Sequence, residues 1–235
     1  MSRLLTEFEE TFRGKAYLHR VSTHGDRIGS FLYEDLYEHC LTHDPKNPFL
    51  LKVQSGAVVL NQSNKVTGKK GRRPDGMMGE RVPVSPAESV AGLHIPRAPV
   101  ATVQIGAEFK IMATKMTAQM ERVATDMINQ ANVIKDLGPT AIRIGFLAVN
   151  HASSYLGREG DRRYPSKTAP LAASQTVIKY VSERAKPLYD ELILLTYSAT
   201  NDEPFPFAWV NAQKVKGEYS AAVLRIAGEY RKRFP

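Results

Sequence analysis

The segment spanning residues 101–111 carries a carboxylate and an ammonium two residues apart, at Glu108 and Lys110. Apolar and polar residues alternate along it, so a strand would place Glu108 and Lys110 on the same face. The apolar parity comprises Val103, Ile105, Ala107, Phe109 and Ile111. We expect this apolar face to enter the core and the opposite face to line a cleft. A carboxylate beside an ammonium in a cleft suits metal-assisted cleavage of a phosphodiester.

A second carboxylate, Asp75, follows a run of cations in the sequence Arg72-Arg73-Pro74-Asp75. Carboxylate oxygens suit Mg²⁺, which keeps several waters while it bridges to phosphate. Asp75 and Glu108 could share one such ion if the long, proline-rich chain between them loops out. Glu80 and Glu88 are alternative ligands in that stretch. Asp75 is preferred because a proline and the basic run precede it.

The predicted elements determine where these residues lie. Hydrophobic periodicity and turn residues give the following order: a helix over 26–42, a strand over 49–60, a turn over 61–71, a strand near 74–78, the strand over 101–111, a helix over 116–134, a strand over 141–149, a polar loop over 151–169, a helix over 171–185, a strand over 188–197 and a helix over 217–230. This order predicts an α/β domain with a mixed central sheet flanked by helices.

Length and composition favour one domain that is neither exported nor inserted in a membrane. A chain of 235 residues fits within the usual size of a single domain. Its apolar runs fall far short of the roughly 20 residues that span a bilayer as a helix, and its acidic amino terminus lacks the pattern of a signal peptide. The single cysteine, Cys40, excludes an internal disulfide and a four-thiolate zinc site. We expect a cytoplasmic protein.

The charge favours a polyanionic partner such as nucleic acid or an anionic membrane surface. Lysine and arginine total 32 against 24 acids, which gives a net charge of +8. The cations concentrate in two polar segments, one before Asp75 and one after the strand at 141–149. These clusters contain Lys65, Lys69, Lys70, Arg72 and Arg73 in the first segment and Arg158, Arg162, Arg163 and Lys167 in the second. We expect both to contact phosphate rather than to read bases.

Pro74-Asp75, followed by Glu108-Phe109-Lys110 on a strand and then by a long helix, resembles the PD-(D/E)XK nuclease superfamily. That superfamily contains most type II restriction endonucleases and many repair and defence nucleases. The resemblance covers roughly residues 26–149. It implies a restriction-endonuclease-like fold in a single nuclease domain over 1–235, with a catalytic core at about 26–150. Residues 151–235 would complete the sheet and add a DNA-contact loop and a carboxyl-terminal helix.

The resemblance also implies roles for individual residues. Asp75, Glu108 and the backbone carbonyl of Phe109 would bind the metal, and Lys110 would orient or activate the attacking water. The metal would be Mg²⁺, with Mn²⁺ as a substitute. The substrate would be double-stranded DNA, and a homodimer would supply one site for each strand.

Further contacts are implied on the two helices that flank the strands. Family members often add an acid from the first helix, and Glu34 is the matching candidate, with a solvated charged face as the alternative reading. In the helix after the strand, Lys115, Gln119 and Arg122 could reach the cleft or a phosphate, and plain solvent exposure is the alternative.

Two other functions and one plainer reading stay open from the sequence. The same centre could belong to a non-specific defence or repair nuclease. The chain could also be a nucleic-acid-binding protein without catalysis. In the plainest reading, Glu108 and Lys110 are an ordinary exposed strand face and Asp75 is a turn residue.

Overall fold

A computed structural model describes residues 2–18, 23–62, 74–159 and 162–235. The helices in these ranges are α1 Arg3–Phe12, α2 Thr23–His43, α3 Pro48–Gln54, α4 Met116–Leu137, α5 Pro170–Ala185 and α6 Ala212–Arg233. The strands are β1 Val58–Asn61, β2 Gly76–Arg81, β3 Arg97–Ala98, β4 Val100–Met112, β5 Ile142–Asn150, β6 Leu156–Glu159, β7 Arg162–Pro165, β8 Glu191–Ala199 and β9 Phe207–Trp209. In the described part of the chain, each helix is too short or too polar to cross a bilayer.

Seven of the strands form one mixed sheet in the order β3-β1-β2-β4-β5-β8-β9. β2 runs antiparallel to β1 and β4, whereas β4, β5 and β8 are mutually parallel. Parallel neighbours need crossover connections, and α4 and α5 supply them on one face of the sheet. Helices α1, α2 and α6 cover the other face. The predicted α/β class with a mixed sheet between helices is confirmed.

Strand β4 lies at the centre of this sheet and is buried on both of its faces. From Val103 to Phe109 every side chain is buried, including those of the polar parity. At Gly106, an added Cβ would lie 2.6 Å from Cγ2 of Ile134 on α4. The expectation that one face of β4 lines an open cleft is therefore wrong for this stretch, because α4 covers that face.

A β-bulge at Gln104 also changes which residues share a face. The pairing of β4 with β2 shifts register there and leaves Gln104 as an extra residue. Val103 consequently packs with Ile134, whereas Ile105 and Phe109 belong to the opposite core layer. The predicted common face of Val103 and Ile105 is wrong, and the alternation holds only beyond the bulge.

The chain before β1 differs from the predicted strand over 49–60. Residues 48–54 form α3, which begins at Pro48 and is capped by Asn47. The Asn47 side chain accepts a hydrogen bond of 3.0 Å from the N–H of Phe49. Asparagine before proline is a typical helix start. A short apolar run such as 49–53 does not by itself distinguish a buried helix from a strand.

Helix α1, the hairpin β6–β7 and the short strands β3 and β9 were not predicted. Helix α1 begins after Ser2, whose hydroxyl accepts from the N–H of Leu5, and it inserts Phe8 and Phe12 into the core beside Tyr197. The segment predicted as a loop over 151–169 contains the antiparallel hairpin β6–β7. Helix α1 belongs to the helical layer that also contains α2 and α6. The hairpin β6–β7 lies near the carboxyl end of β8, where the N–H of Leu156 donates to the carbonyl of Thr200.

Candidate active site

Asp75 directly precedes β2 and reaches β4 at the position of Glu108 and Phe109. Gly76 pairs with Ala107 in the antiparallel register, so Asp75 lies beside the next residues of β4. Its Oδ2 accepts a hydrogen bond of 2.7 Å from the N–H of Phe109. The long connection between β2 and β4 contains β3, which pairs with β1 at the edge of the sheet, so the connection loops away from Asp75 and Glu108. The excursion therefore does not keep the two carboxylates apart.

Glu108 and Lys110 share a face of β4, as the alternation predicts. The Nζ atom of Lys110 lies 2.5 Å from Oε1 of Glu108. The side chain of Glu108 is only 2% exposed, and that of Lys110 is 19% exposed. Burial of this kind contradicts the reading of an ordinary exposed strand face. Lys110 lies closer to solvent because it is nearer the end of the strand.

The carboxylate of Glu108 is buried without full compensation. Burial and, after it, the nearby carboxylate of Asp75 together raise the pKa of Glu108 to about 8, although Lys110 acts in the opposite direction. Its Oε2 atom has no hydrogen-bond partner in the described part of the chain. An unpartnered buried oxygen is costly. A divalent cation at this point would offset both the repulsion between the carboxylates and the missing partner.

The donor set fits Mg²⁺. A residue in a strand directs its N–H and C=O to the same side, so the carbonyl of Phe109 points, like its N–H, toward Asp75. No group of three or more His, Cys, Asp and Glu side chains gathers among residues 2–18, 23–62, 74–159 and 162–235. Two carboxylates and a carbonyl would thus leave the remaining positions to water or phosphate, as Mg²⁺ prefers.

Helix α2 also packs against the Asp75 side chain. The residue of closest approach is Gly25, which sequence reasoning missed. A Cβ added to Gly25 would lie 3.0 Å from both Cγ and Oδ2 of Asp75. At Gly29, one turn later, the nearest atoms of Asp75 would be 4.0 Å away. The two glycines lie on one face of α2, and this spacing of four was the only signal of the contact available in the sequence.

Glu34 lies elsewhere on α2. It is buried, and its carboxylate accepts hydrogen bonds from the N–H groups of His94 at 2.9 Å and Ile95 at 3.1 Å. It also pairs with Arg3 at 3.1 Å. Glu34 follows Gly25 by about 13 Å along the helix axis. The structure does not bring it to Asp75 and Glu108, and its contacts are those of a structural anchor.

The alternative ligands Glu80 and Glu88 also lie away from Glu108. Glu80 is exposed near the far end of β2, opposite Thr102. Glu88 is exposed and forms a backbone bridge with Arg97. Of the three candidate partners of Glu108 upstream on the chain, Asp75 alone contacts the backbone beside it.

The predicted DNA contacts fall into four groups, of which the buried Arg158 is described separately below. Lys65, Lys69, Lys70, Arg72 and Arg73 lie outside the described residues. Lys115, Arg162, Arg163 and Lys167 are exposed. On α4, Gln119 is half-buried and accepts a hydrogen bond of 3.4 Å from the exposed Arg122.

Arg158 requires a correction, because it is buried. Only 7% of the residue is exposed, and its Nε donates to the carbonyl of Asn201 at 3.2 Å. Its guanidinium also lies over the ring of Phe205. A side chain held in this way supports the packing of the hairpin and is not available to a phosphate.

No family model, curated protein or solved structure gives a significant match to the chain.

Proposed function

We propose that the protein is a Mg²⁺-dependent DNA endonuclease of the PD-(D/E)XK type. One observation carries the proposal: the buried Glu108 carboxylate, with an unpartnered oxygen, lies next to Asp75 and is contacted by Lys110. Buried acids with perturbed pKa values and a specific charged neighbour are typical of functional sites. A buried carboxylate with a purely structural role usually accepts hydrogen bonds on both of its oxygens.

The side chains divide the chemistry between them. Asp75, Glu108 and the Phe109 carbonyl would hold Mg²⁺, which supplies charge neutralisation and a more acidic bound water. Lys110 would orient a water toward phosphorus and offset the negative charge that builds on the phosphoryl oxygens. A bond would form between the water oxygen and phosphorus as the bond to the leaving sugar oxygen breaks; the proton of the attacking water would pass to solvent, and the leaving oxygen would take up a proton from solvent.

The finer parts of the proposal rest on the family resemblance and on charge. We propose double-stranded DNA as the substrate, cut by a homodimer with one site for each strand, as in type II restriction enzymes of the cytoplasm. The restriction-endonuclease-like arrangement of the sheet belongs to the same proposal. The net charge of +8 supports a polyanionic substrate, and the exposed Arg162, Arg163 and Lys167 offer phosphate contacts.

The decisive experiment is incubation of plasmid DNA with wild type and with Lys110→Ala, in Mg²⁺ and in EDTA. Lys179→Ala, which removes an exposed lysine from α5, is the matched control. We expect cleavage by wild type and by the control in Mg²⁺ only, and a loss of about 100-fold or more in Lys110→Ala.

The products then decide between related functions. Discrete bands indicate a restriction enzyme, and a smear indicates a non-specific nuclease. Equal cleavage by wild type and Lys110→Ala would overturn the assignment of the site. Tight DNA binding with no cleavage of varied DNA would favour a binding protein without catalysis.

A further inference from the structure

A second feature of the molecule is a cavity of about 580 Å³ between the start of α4 and the strand β7. Lys115 and Lys167 line it, together with Tyr164, hydroxyl side chains such as Thr117 and Thr168, and apolar side chains from α4, β7 and α5. Its lining contains no acidic residue. Three other cavities in the described part of the chain are each lined by both carboxylates and basic side chains. This cavity alone among the four has an uncompensated positive lining.

The two lysines are available to an anion. Both are exposed, and within residues 2–18, 23–62, 74–159 and 162–235 neither forms an ion pair with a carboxylate. The Nζ atom of Lys115 instead lies 4.6 Å from the centre of the Tyr164 ring. This cation–π contact keeps the ammonium beside Tyr164 in the cavity lining without cancelling its charge.

The walls of the cavity are held by contacts between its two sides. Thr114, before α4, donates a hydrogen bond of 3.0 Å to the hydroxyl of Ser166, which donates to the carbonyl of Thr168 at 2.7 Å. The connection from β4 and the segment after β7 are therefore tied together. A preformed site of this kind costs little to order when an anion binds.

The cavity lies close to the candidate active site. Lys115 follows Lys110 by five residues, which span at most about 18 Å. One strand of duplex DNA advances about 3.4 Å per nucleotide. A strand held at Lys110 would therefore reach the cavity within about five nucleotides. The exposed Arg162 and Arg163 on β7 extend the positive surface beyond it.

We propose that this cavity binds the phosphodiester backbone of the substrate strand that flanks the cleaved bond. This inference rests on the proposed function for its account of the strand's path. The ligand is recognised by charge and hydrogen bonding: the two ammonium groups and the hydroxyls of Thr117 and Thr168 meet phosphate oxygens, with no contact that requires a particular base.

The test compares two double variants that remove the same charge. Lys115→Ala with Lys167→Ala empties the cavity of its cations, and Lys179→Ala with Lys186→Ala removes two exposed lysines from the distal part of α5 and its end. Binding of a fluorescent duplex is measured by anisotropy in EDTA, over a series of salt concentrations, so that cleavage does not enter the measurement. Thermal melting establishes that both variants fold.

We expect the cavity variant to bind DNA at least about 10-fold more weakly at low salt, and the control to change less than about 2-fold. The slope of log affinity against log salt should fall by about 2 in the cavity variant, since each neutralised phosphate contributes about 0.9. Equal weakening in the two variants would overturn the proposal, because net charge alone would then account for binding.

A second arm separates DNA from a free anion. Inorganic phosphate is titrated into wild type and into the cavity variant. Binding of phosphate that depends on both lysines, without any loss of DNA affinity in the variant, would overturn the proposal in favour of a free-anion site. Failure of wild type to bind any duplex also overturns it. Binding without cleavage contradicts only the proposed catalysis.

Discussion

Glu34 and Glu108 are both carboxylates buried to the same degree, with 2% exposed, yet their surroundings are opposite. Glu34 accepts from two backbone N–H groups and pairs with Arg3. Glu108 has Lys110 on one oxygen, no partner on the other, and Asp75 as a repelling neighbour. A buried charge whose hydrogen bonds are complete indicates structure, and one left incomplete indicates a missing ligand.

Removal of one carboxylate from the site of Glu108 should abolish most of the activity. Asp75→Asn should lower Mg²⁺-dependent cleavage by about 100-fold or more, because a ligand and its charge are both lost. The melting temperature should hardly fall. Cleavage rates and thermal melting of the purified variant provide the measurement. Retained cleavage at the wild-type rate would remove Asp75 from the site.

Glu34→Ala should show the reverse pattern, with a loss of stability and no direct loss of chemistry. We expect the free energy of unfolding to fall by about 2 kcal/mol, since the buried N–H of Ile95 and the part-buried N–H of His94 lose their acceptor. Glu38→Ala, also on α2 but with a half-exposed side chain, is the control and should change stability little. Chemical denaturation measures the difference. A Glu34→Ala protein of normal stability with lost metal dependence would reverse the two assignments.

Gly25→Ala tests whether α2 positions the Asp75 carboxylate. The new Cβ would press on Cγ and Oδ2 at 3.0 Å, and a flexible side chain yields to such a contact more readily than a backbone does. Cleavage at limiting Mg²⁺ should fall about 10-fold, because small misplacements at a reacting centre are costly. Gly29→Ala, with its neighbours at 4.0 Å, should retain activity. Equal effects of the two alanines would point to a general change in α2.

The raised pKa of Glu108 should also make the stability of the metal-free protein depend on pH. The folded protein holds the pKa of Glu108 near 8, above the value of about 4.3 in an unfolded chain. Between these values the unfolded state loses a proton that the folded state keeps, so the contribution of Glu108 to stability declines as pH rises. Glu108→Gln should therefore be more stable than wild type at pH 8 by about 1 kcal/mol or more. Denaturation of both proteins across this pH range measures it, and parallel curves would contradict the raised pKa.

Sequence patterns predicted the long elements and the shared face of Glu108 and Lys110, because hydrophobic periodicity is a local property. The bulge at Gln104 was not predicted, since it depends on how β4 pairs with β2. The burial of Arg158 was missed for a similar reason. A cluster of arginines is visible in sequence, but which member turns inward depends on distant residues such as Asn201.

The same distinction applies to the candidate site. Positions 75, 108 and 110 hold two carboxylates and an ammonium. Because these residue types are themselves the reactive groups, sequence reasoning could select them. The approach of Gly25 to Asp75 joins elements that are fifty residues apart on the chain. Only the packing of α2 against the sheet reveals it, and the same holds for the distance between Glu34 and the site.

The extra residue at Gln104 sets the phase of everything that follows it on β4. Its deletion would rejoin the strand in strict alternation, and one half of β4 would have to turn over. If the first half kept its pairing with β2, Phe109 would turn toward α4. Glu108 and Lys110 would then face the opposite core layer, in which Phe109 now packs against Phe8 of α1. Deletion of the single codon for Gln104 would thus move Glu108 and Lys110 to the other face of β4 without changing either residue.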